Sequence, residues 1–228
     1  MKIGILQAGH LPEDMSTEFG SYGNMFTEFL APGGFSFDVY VVVDGEFPSS
    51  VDEADGWLIT GSKHGAYDDL AWIPPLEKFI QRAYEAKIPL IGICFGHQIV
   101  AQALGGKVEK FARGWSVGAT EYMAAQSDDT LILNAWHQDQ VVARPKDAQV
   151  LASTEFCQNA ILAYGDQALT IQPHPEFSAA FVNGLITGRG IGVVPDVLLR
   201  KAEARLDTPL ATDRIKAQMV DFFAHSRG

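Results

Sequence analysis

Apolar residues in this 228-residue chain fall into short continuous runs, separated by stretches with helical periodicity. The runs in the first part of the chain occupy residues 2–7, 37–43, 56–60 and 88–93. Most are continuous rather than alternating, which is typical of strands buried on both faces of a parallel sheet. Between and after them, residues 74–87 and 95–106 each place apolar side chains on one helical face. The first of these helices opens on prolines, and the second ends at two glycines.

From residue 107 to residue 172 the pattern changes to short strand-like runs in close succession, which predicts a mixed or antiparallel part of the same domain. Helical periodicity returns from residue 178, with helices predicted over 195–206 and 212–226. We therefore expect one α/β domain over residues 1–228, built on an open, mostly parallel, doubly wound sheet flanked by helices. In this interpretation residues 178–228 are a helical C-terminal extension of that domain.

Charge and cysteine content narrow the classes of function. The formal net charge is −11, from 28 acidic and 17 basic residues. So acidic a surface repels phosphate backbones and anionic lipids, and we expect no nucleic acid and no membrane as a partner. The N-terminal residues lack the long apolar segment of a signal peptide, and two cysteines are too few for a disulfide scaffold. These features predict a soluble cytoplasmic protein with a small-molecule substrate, and they leave its oligomeric state open.

Residues 92–96 read Gly-Ile-Cys-Phe-Gly, at the point where an apolar run ends and a helical pattern begins. Gly-x-Cys-x-Gly is the thiol form of the nucleophile elbow, a sharp strand-to-helix turn that exposes a nucleophile. Larger side chains two residues away would collide across such a turn. The N–H groups and the dipole at the start of the helix favour a thiolate and can stabilise an oxyanion. Cys94 is therefore a candidate nucleophile, and a buried cysteine between two turn glycines is the alternative interpretation.

Residues 171–177, Ile-Gln-Pro-His-Pro-Glu-Phe, supply a candidate base for that nucleophile. Prolines on both sides of His174 disfavour helix and bias the chain toward extended conformations. In an extended chain His174 and Glu176 point to the same side. Glu176 can then accept a hydrogen bond from one imidazole nitrogen while the other nitrogen faces a thiol. A solvated surface loop is the alternative, but the presence of the elbow favours the catalytic interpretation.

Together, residues 92–110 and the His-Pro-Glu segment at 174–176 resemble a class I (triad) glutamine amidotransferase, and specifically stand-alone members related to the amidotransferase half of GMP synthase. The resemblance extends roughly over residues 40–177. It implies a catalytic triad of Cys94, His174 and Glu176 on a flavodoxin-like, mostly parallel sheet. It implies no cofactor. A metal site made of the same three residues is not expected, because no fourth ligand has suitable spacing.

The resemblance also implies further site residues. The backbone N–H of Phe95 is expected to be one oxyanion donor, and the N–H of Ser62 the second, with Gly61 permitting the turn that aims it. The segment departs from the family pattern of two glycines and a proline, because it reads Gly-Ser-Lys at 61–63. The glutamine-binding positions of the family match Gln98, Trp115 and Ser116.

Two other segments carry chemistry-bearing side chains. His137 and Asp139 resemble a His-x-Asp segment of the family, and they either line the mouth of the pocket or form a structural pair. Cys157 has no base and no glycine elbow beside it, so we expect it to act as a small apolar residue in or beside the core.

The resemblance implies hydrolysis of the γ-amide of L-glutamine to glutamate and ammonia, through a γ-glutamyl thioester on Cys94. A synthase subunit that receives the ammonia would then be a partner. The alternative is a stand-alone γ-glutamyl hydrolase or peptidase, in which the same triad cleaves γ-glutamyl amides or peptides. A third, less favoured hypothesis is a non-catalytic regulatory module on the same scaffold.

Overall fold

The computed structural model describes residues 1–225. The end of the helix predicted over 212–226, and residues 226–228 of the predicted extension, lie outside the described part. The strands are β1 (Lys2–Leu6), β2 (Ser36–Tyr40), β3 (Gly56–Ile59), β4 (Leu90–Ile93), β5 (Lys107–Lys110), β6 (Ser116–Ala124), β7 (Thr130–His137), β8 (Asp139–Ala143), β9 (Gln149–Ser153), β10 (Ile161–Tyr164) and β11 (Ala168–Ile171). The α-helices are α1 (Glu13–Phe19), α2 (Tyr22–Leu30), α3 (Ile73–Glu85), α4 (Phe95–Ala103), α5 (Ala179–Thr187), α6 (Asp196–Glu203) and α7 (Thr212–His225).

Nine of these strands form one sheet in the order β2-β1-β3-β4-β11-β10-β9-β6-β7. The five strands from β2 to β11 run parallel, and the remaining four are antiparallel to their neighbours. Strands β5 and β8 form a separate antiparallel pair. The predicted open, mostly parallel sheet with a mixed extension is confirmed. The carboxyl ends of β3, β4 and β11 lie side by side, which is where open α/β sheets hold their ligands.

The first part of the chain differs from the expected pattern in two places. The apolar run at 37–43 was expected to be one strand buried on both faces. Instead β2 is an edge strand that ends at Tyr40, and a 3₁₀ turn follows at Val42–Asp44. Helices α1 and α2 occupy a segment to which the sequence pattern assigned no element. Ser21 caps α2 by accepting a hydrogen bond from the N–H of Asn24.

Both faces of the four inner parallel strands, β1, β3, β4 and β11, are buried, as their continuous apolar runs require. Alternate side chains point to opposite faces, so Trp57 and Ile59 of β3 pack toward α3 and α4, whereas Leu58 packs toward α2 and α7. A third apolar cluster joins α1, α5 and α6 beside the antiparallel strands. The nucleophile elbow therefore stands on a rigid layer that is packed on both sides.

The helices after residue 178 pack on the same sheet as the rest of the chain. In α7, Ile215, Met219 and Phe223 are fully buried against it. In α6, Ala202 lies so close to Gly118 of β6 that a Cβ there would sit 2.6 Å away. This packing supports our proposal that residues 178–228 belong to the same domain as the sheet. In residues 1–225 no helix is long and apolar enough to cross a membrane.

Candidate active site

Cys94 occupies a strained turn between β4 and α4. Its φ of 52° and ψ of −100° lie outside the regions that residues other than glycine ordinarily adopt. The position is held from both sides, because the Cys94 N–H donates to the Ile171 carbonyl at 2.8 Å and its carbonyl accepts from the Gln98 N–H at 3.0 Å. The strain is therefore sustained by hydrogen bonds to β11 and within α4.

The two glycines of the elbow are dictated by backbone contacts. A Cβ on Gly92 would lie 2.4 Å from the carbonyl oxygen of Gly96, and a Cβ on Gly96 would lie 2.2 Å from the carbonyl oxygen of Ile59. Neither obstacle is a flexible side chain, so the backbone itself would have to move. The predicted collision of side chains across the turn is thus seen directly in the structure.

His174 and Glu176 meet at the end of β11. The Nδ1–H of His174 donates to Oε1 of Glu176 at 2.7 Å, and both side chains are almost fully buried. The route differs from the expected extended chain. His174 forms an isolated bridge with Asn134, and the Phe177 N–H then closes a turn onto the His174 carbonyl at 3.4 Å. The imidazole stacks on Phe177, with ring centroids 3.8 Å apart and planes 5° from parallel.

The charge of His174 is set by two opposing effects. Burial lowers its pKa, but the charges of Glu176 and Cys94, together with hydrogen bonds to both, outweigh burial and raise the pKa to about 10. The ring is therefore an imidazolium at neutral pH. This positive charge lies beside the side chain of Cys94, and the face of Phe177 stabilises it.

The expected oxyanion donors lie next to the nucleophile. Phe95 is the first residue of α4, so its N–H has no acceptor within the helix. Gly61 is buried beside the pair, since a Cβ there would lie 3.0 Å from Cε1 of His174 and 3.8 Å from Cβ of Cys94. Ser62 follows in the wall of the cavity above Cys94, and its Oγ accepts from the His64 N–H at 3.1 Å. The assignment of these backbone groups to an oxyanion hole stays a prediction.

Cys94 and His174 open into a cavity of about 270 Å³. Gln98 and Trp115 also line this cavity, as a substrate-binding role would require. The amide nitrogen of Gln98 is already bonded, to the Asp139 carbonyl at 2.9 Å and to Oε1 of Gln172 at 3.1 Å. Ser116 lies outside the cavity lining, in β6, and its contact with substrate stays a prediction.

His137 and Asp139 line the same cavity and also form a structural pair. Nδ1–H of His137 donates to the Asp139 carbonyl at 3.2 Å, while Nε2 is buried and has no partner in residues 1–225. Burial lowers the pKa of His137 to about 4, so the ring is neutral. The Asp139 carboxylate accepts from the Tyr67 hydroxyl at 3.1 Å, and its pKa is raised mainly by burial. His137 and Asp139 therefore both line the pocket and form a structural pair, so the two interpretations hold together.

The sequence model of the glutamine amidotransferase class-I family matches residues 22–181, which is well over half of the chain. The chain belongs to the class I glutamine amidotransferase family. Gamma-glutamyl peptidase 3 of Arabidopsis thaliana is 33% identical over 181 residues, a match that covers 73% of each chain. The GMP synthase (glutamine-hydrolyzing) of Porphyromonas gingivalis is 28% identical over 68% of this chain, which corresponds to 32% of the synthase.

Solved structures share the fold of this chain. A glutamine amidotransferase from Methylobacillus flagellatus superimposes with a TM-score of 0.78 at 22% identity, over 99% of this chain and 94% of that one. The agreement extends over both the parallel and the antiparallel parts of the sheet.

Sequence reasoning missed several residues that line the cavity. Tyr22 begins α2 and is buried near Cys94, and its pKa is raised mainly by burial and further by Glu176 and Cys94. Arg189 reaches the cavity from the loop after α5, and Lys63 and Lys110 lie at its edge. A single arginine between two glycines at 188–190 was the only signal for Arg189, and Tyr22 gave none.

Cys157 lies in the core, as expected. It is 3% exposed, and burial raises the pKa of its thiol to about 12. Within residues 1–225 no group of three or more acidic, histidine or cysteine side chains has a geometry suited to a metal ion.

Proposed function

We propose that this protein is a cysteine hydrolase that cleaves the γ-amide bond of γ-glutamyl peptides. The observation that carries the proposal is the contact chain Cys94–His174–Glu176 on a strained elbow, open to a cavity. The choice of peptides over glutamine rests on relatives named gamma-glutamyl peptidases, which match about 70% of the chain or more. This choice adopts the alternative hypothesis from the sequence in place of the leading one.

In the first half-reaction the Cys94 thiolate attacks the γ-carbonyl carbon, and the carbonyl oxygen becomes an oxyanion. The N–H groups of Phe95 and Ser62 hold that oxyanion. The imidazolium of His174 then gives its proton to the departing amine nitrogen as the C–N bond breaks. The products are a free peptide amine and a γ-glutamyl thioester on Cys94.

In the second half-reaction neutral His174 takes a proton from water, and the hydroxide attacks the thioester. The C–S bond breaks, glutamate leaves, and Cys94 is again a thiolate beside an imidazolium. Throughout, Glu176 fixes the ring by accepting from Nδ1–H and stabilises its positive charge. No cofactor enters either step.

Hydrolysis of L-glutamine is the second candidate function. It is favoured by the similarity to GMP synthases, in which the matching part is a third of a longer chain. In that case ammonia is the useful product, and a synthase subunit would receive it. A non-catalytic module on the same scaffold is less well supported, because it would not require the strained backbone of Cys94 or the buried ion pair of His174 and Glu176.

Steady-state release of glutamate from L-γ-glutamyl dipeptides and from L-glutamine distinguishes these functions. The proposal expects turnover of the dipeptides that disappears in Cys94→Ala, with slower turnover of glutamine. A preference for glutamine would instead support the second candidate function, the hydrolysis of L-glutamine. Absence of turnover for every compound, with no labelling of Cys94 by an electrophilic glutamine analogue, would favour the non-catalytic module.

A further inference from the structure

The cavity reverses the charge balance of the protein. The whole chain has 28 acidic and 17 basic residues. Besides the triad, however, the charged side chains that line the cavity are the cations Lys63, Lys110 and Arg189 and the anions Asp68 and Asp139. A protein with a net charge of −11 repels anionic ligands at long range, so a local excess of cations indicates that an anion has to enter.

These three cations form no ion pair with any residue in the described range 1–225. Other basic side chains do pair, such as Arg205 with Glu121 and Arg214 with Asp129. The cavity cations therefore keep their hydrogen-bonding capacity for a ligand. Arginine in particular offers a planar fork that matches a carboxylate in two parallel hydrogen bonds.

The cations fall into two groups. Lys110 acts electrostatically on Asp139, which is joined to the elbow helix through Gln98. One cation and one anion on this wall match the zwitterionic α-amino and α-carboxylate end of a γ-glutamyl group. Both glutamine and γ-glutamyl peptides carry that end, so this group does not distinguish them.

Arg189 and Lys63 form the second group, around His64. The pKa of His64 is lowered mainly by burial, and the charges of Lys63 and Arg189 lower it further. Arg189 also acts on Tyr22, whose other charged neighbours are Glu176 and Cys94. Arg189 and Lys63 line the same cavity as His174, the acid that protonates the leaving group, and Asp68 is the lining anion that acts on His64 together with them.

We infer that Arg189 and Lys63 form a subsite for a carboxylate on the leaving group of the substrate. This inference rests on the proposed function and deepens it, because it selects γ-glutamyl peptides with a free C-terminal carboxylate over γ-glutamyl amides with a neutral leaving group. Glutamine, whose leaving group is ammonia, leaves this subsite empty.

The test compares L-γ-glutamylglycine with L-γ-glutamylglycinamide, whose leaving groups have nearly the same shape and end in a carboxylate and in a neutral amide. The wild-type protein is expected to have the higher kcat/KM for γ-glutamylglycine. Arg189→Gln should lower the ratio of the two kcat/KM values by about tenfold or more, mainly through KM, because a charge-assisted bidentate contact is lost. Arg189→Lys should retain part of the preference. The matched control is Arg200→Gln, which removes the same charge from an exposed position in α6 outside the cavity and should keep the ratio of the wild type.

Two results would overturn the subsite. One is an equal loss for both substrates in Arg189→Gln, which would assign Arg189 to the γ-glutamyl end or to folding. The other is a wild-type ratio near one. If the wild type cleaves neither compound, the proposed function fails. Calorimetric binding of both compounds to Cys94→Ala protein then decides the subsite separately: tighter binding of γ-glutamylglycine that depends on Arg189 supports it, and equal binding overturns it.

Discussion

The two cysteines of this chain are almost equally buried, 6% exposed for Cys94 and 3% for Cys157, and both pack in the same apolar cluster. Their surroundings differ in everything else. Cys94 has a strained backbone, the start of a helix, a protonated histidine and an open cavity beside it. Cys157 has none of these, and its pKa is raised mainly by burial. Burial therefore does not distinguish the two thiols, whereas the charge and backbone geometry around them do.

Two buried histidines, His174 and His137, likewise differ in pKa although they are equally buried. His174 and His137 both line the cavity and are each about 3% exposed. Burial lowers the pKa of both rings, but only His174 has a carboxylate and a thiol as direct partners, and its pKa ends at about 10 instead of about 4. The positive charge of His174 thus depends on the two side chains that it contacts, Glu176 and Cys94.

The largest expected effect separates the two cysteines by activity. Cys94→Ala should lower kcat/KM for a γ-glutamyl dipeptide by about 10⁴-fold or more, because no nucleophile remains. Cys157→Ala should keep activity close to that of the wild type and cost about 1 kcal/mol of unfolding free energy. Steady-state kinetics and thermal unfolding of both variants measure this. Comparable losses of activity in the two would break the comparison.

The next prediction concerns Glu176, the carboxylate that raises the pKa of His174. Glu176→Gln should lower kcat by about 100-fold or more, although by less than Cys94→Ala, because the imidazolium loses its carboxylate partner. Glu155→Gln, at an exposed position two residues before Cys157, is the matched control and should not change kcat. If both glutamine variants behave alike, the Glu176 carboxylate has no role in charging the ring.

A smaller effect tests the backbone of the elbow. Gly96→Ala should lower the free energy of unfolding by about 3 kcal/mol or more, because its Cβ would meet a carbonyl oxygen. Gly165→Ala, where φ is 56° and no atom lies within 4 Å of the added Cβ, should cost only about 1 kcal/mol. Denaturant unfolding of both variants gives the comparison. Equal costs would mean that the elbow tolerates a side chain.

The last prediction concerns the pH dependence of the unfolding free energy, for which the expected change per pH unit is small. The pKa of His174 is about 10 in the folded protein, above its ordinary value of 6.5, so the protonated ring stabilises the fold fully below pH 6.5. That contribution declines by up to about 1.4 kcal/mol per pH unit as pH rises toward 10, and is lost above it. The difference in unfolding free energy between the wild type and His174→Gln should therefore shrink from pH 6.5 to pH 10. A constant difference would contradict the ion-pair account.

Sequence reasoning predicted the parts of the site that depend on local rules. Gly92 and Gly96 follow from the sterics of one turn, and the partnership of His174 with Glu176 from two residues in the same short segment. The turn that joins them was not predicted, because the bridge from Asn134 to His174 redirects the chain and joins residues far apart in sequence.

The remaining residues of the site depend on long-range packing. Tyr22 lies 72 positions before Cys94 along the chain and reaches it only because α2 packs on the sheet. Arg189 enters the cavity because α5 directs its following loop back over the active site. Tyr22 shows no local pattern, and an arginine between two glycines is too common a pattern to identify Arg189 as a cavity residue. The edge position of β2, which ends its apolar run early, is likewise fixed by strand order and not by composition.

The central claim is that only the elbow cysteine is a nucleophile for γ-glutamyl carbonyl groups. It is tested most directly by treating the folded protein with an electrophilic glutamine analogue and locating the adduct by peptide mass spectrometry. The account predicts one adduct per chain on Cys94, formed by the L enantiomer and not the D enantiomer, and blocked by a γ-glutamyl dipeptide. Labelling of Cys157, or equal labelling by both enantiomers, would contradict it.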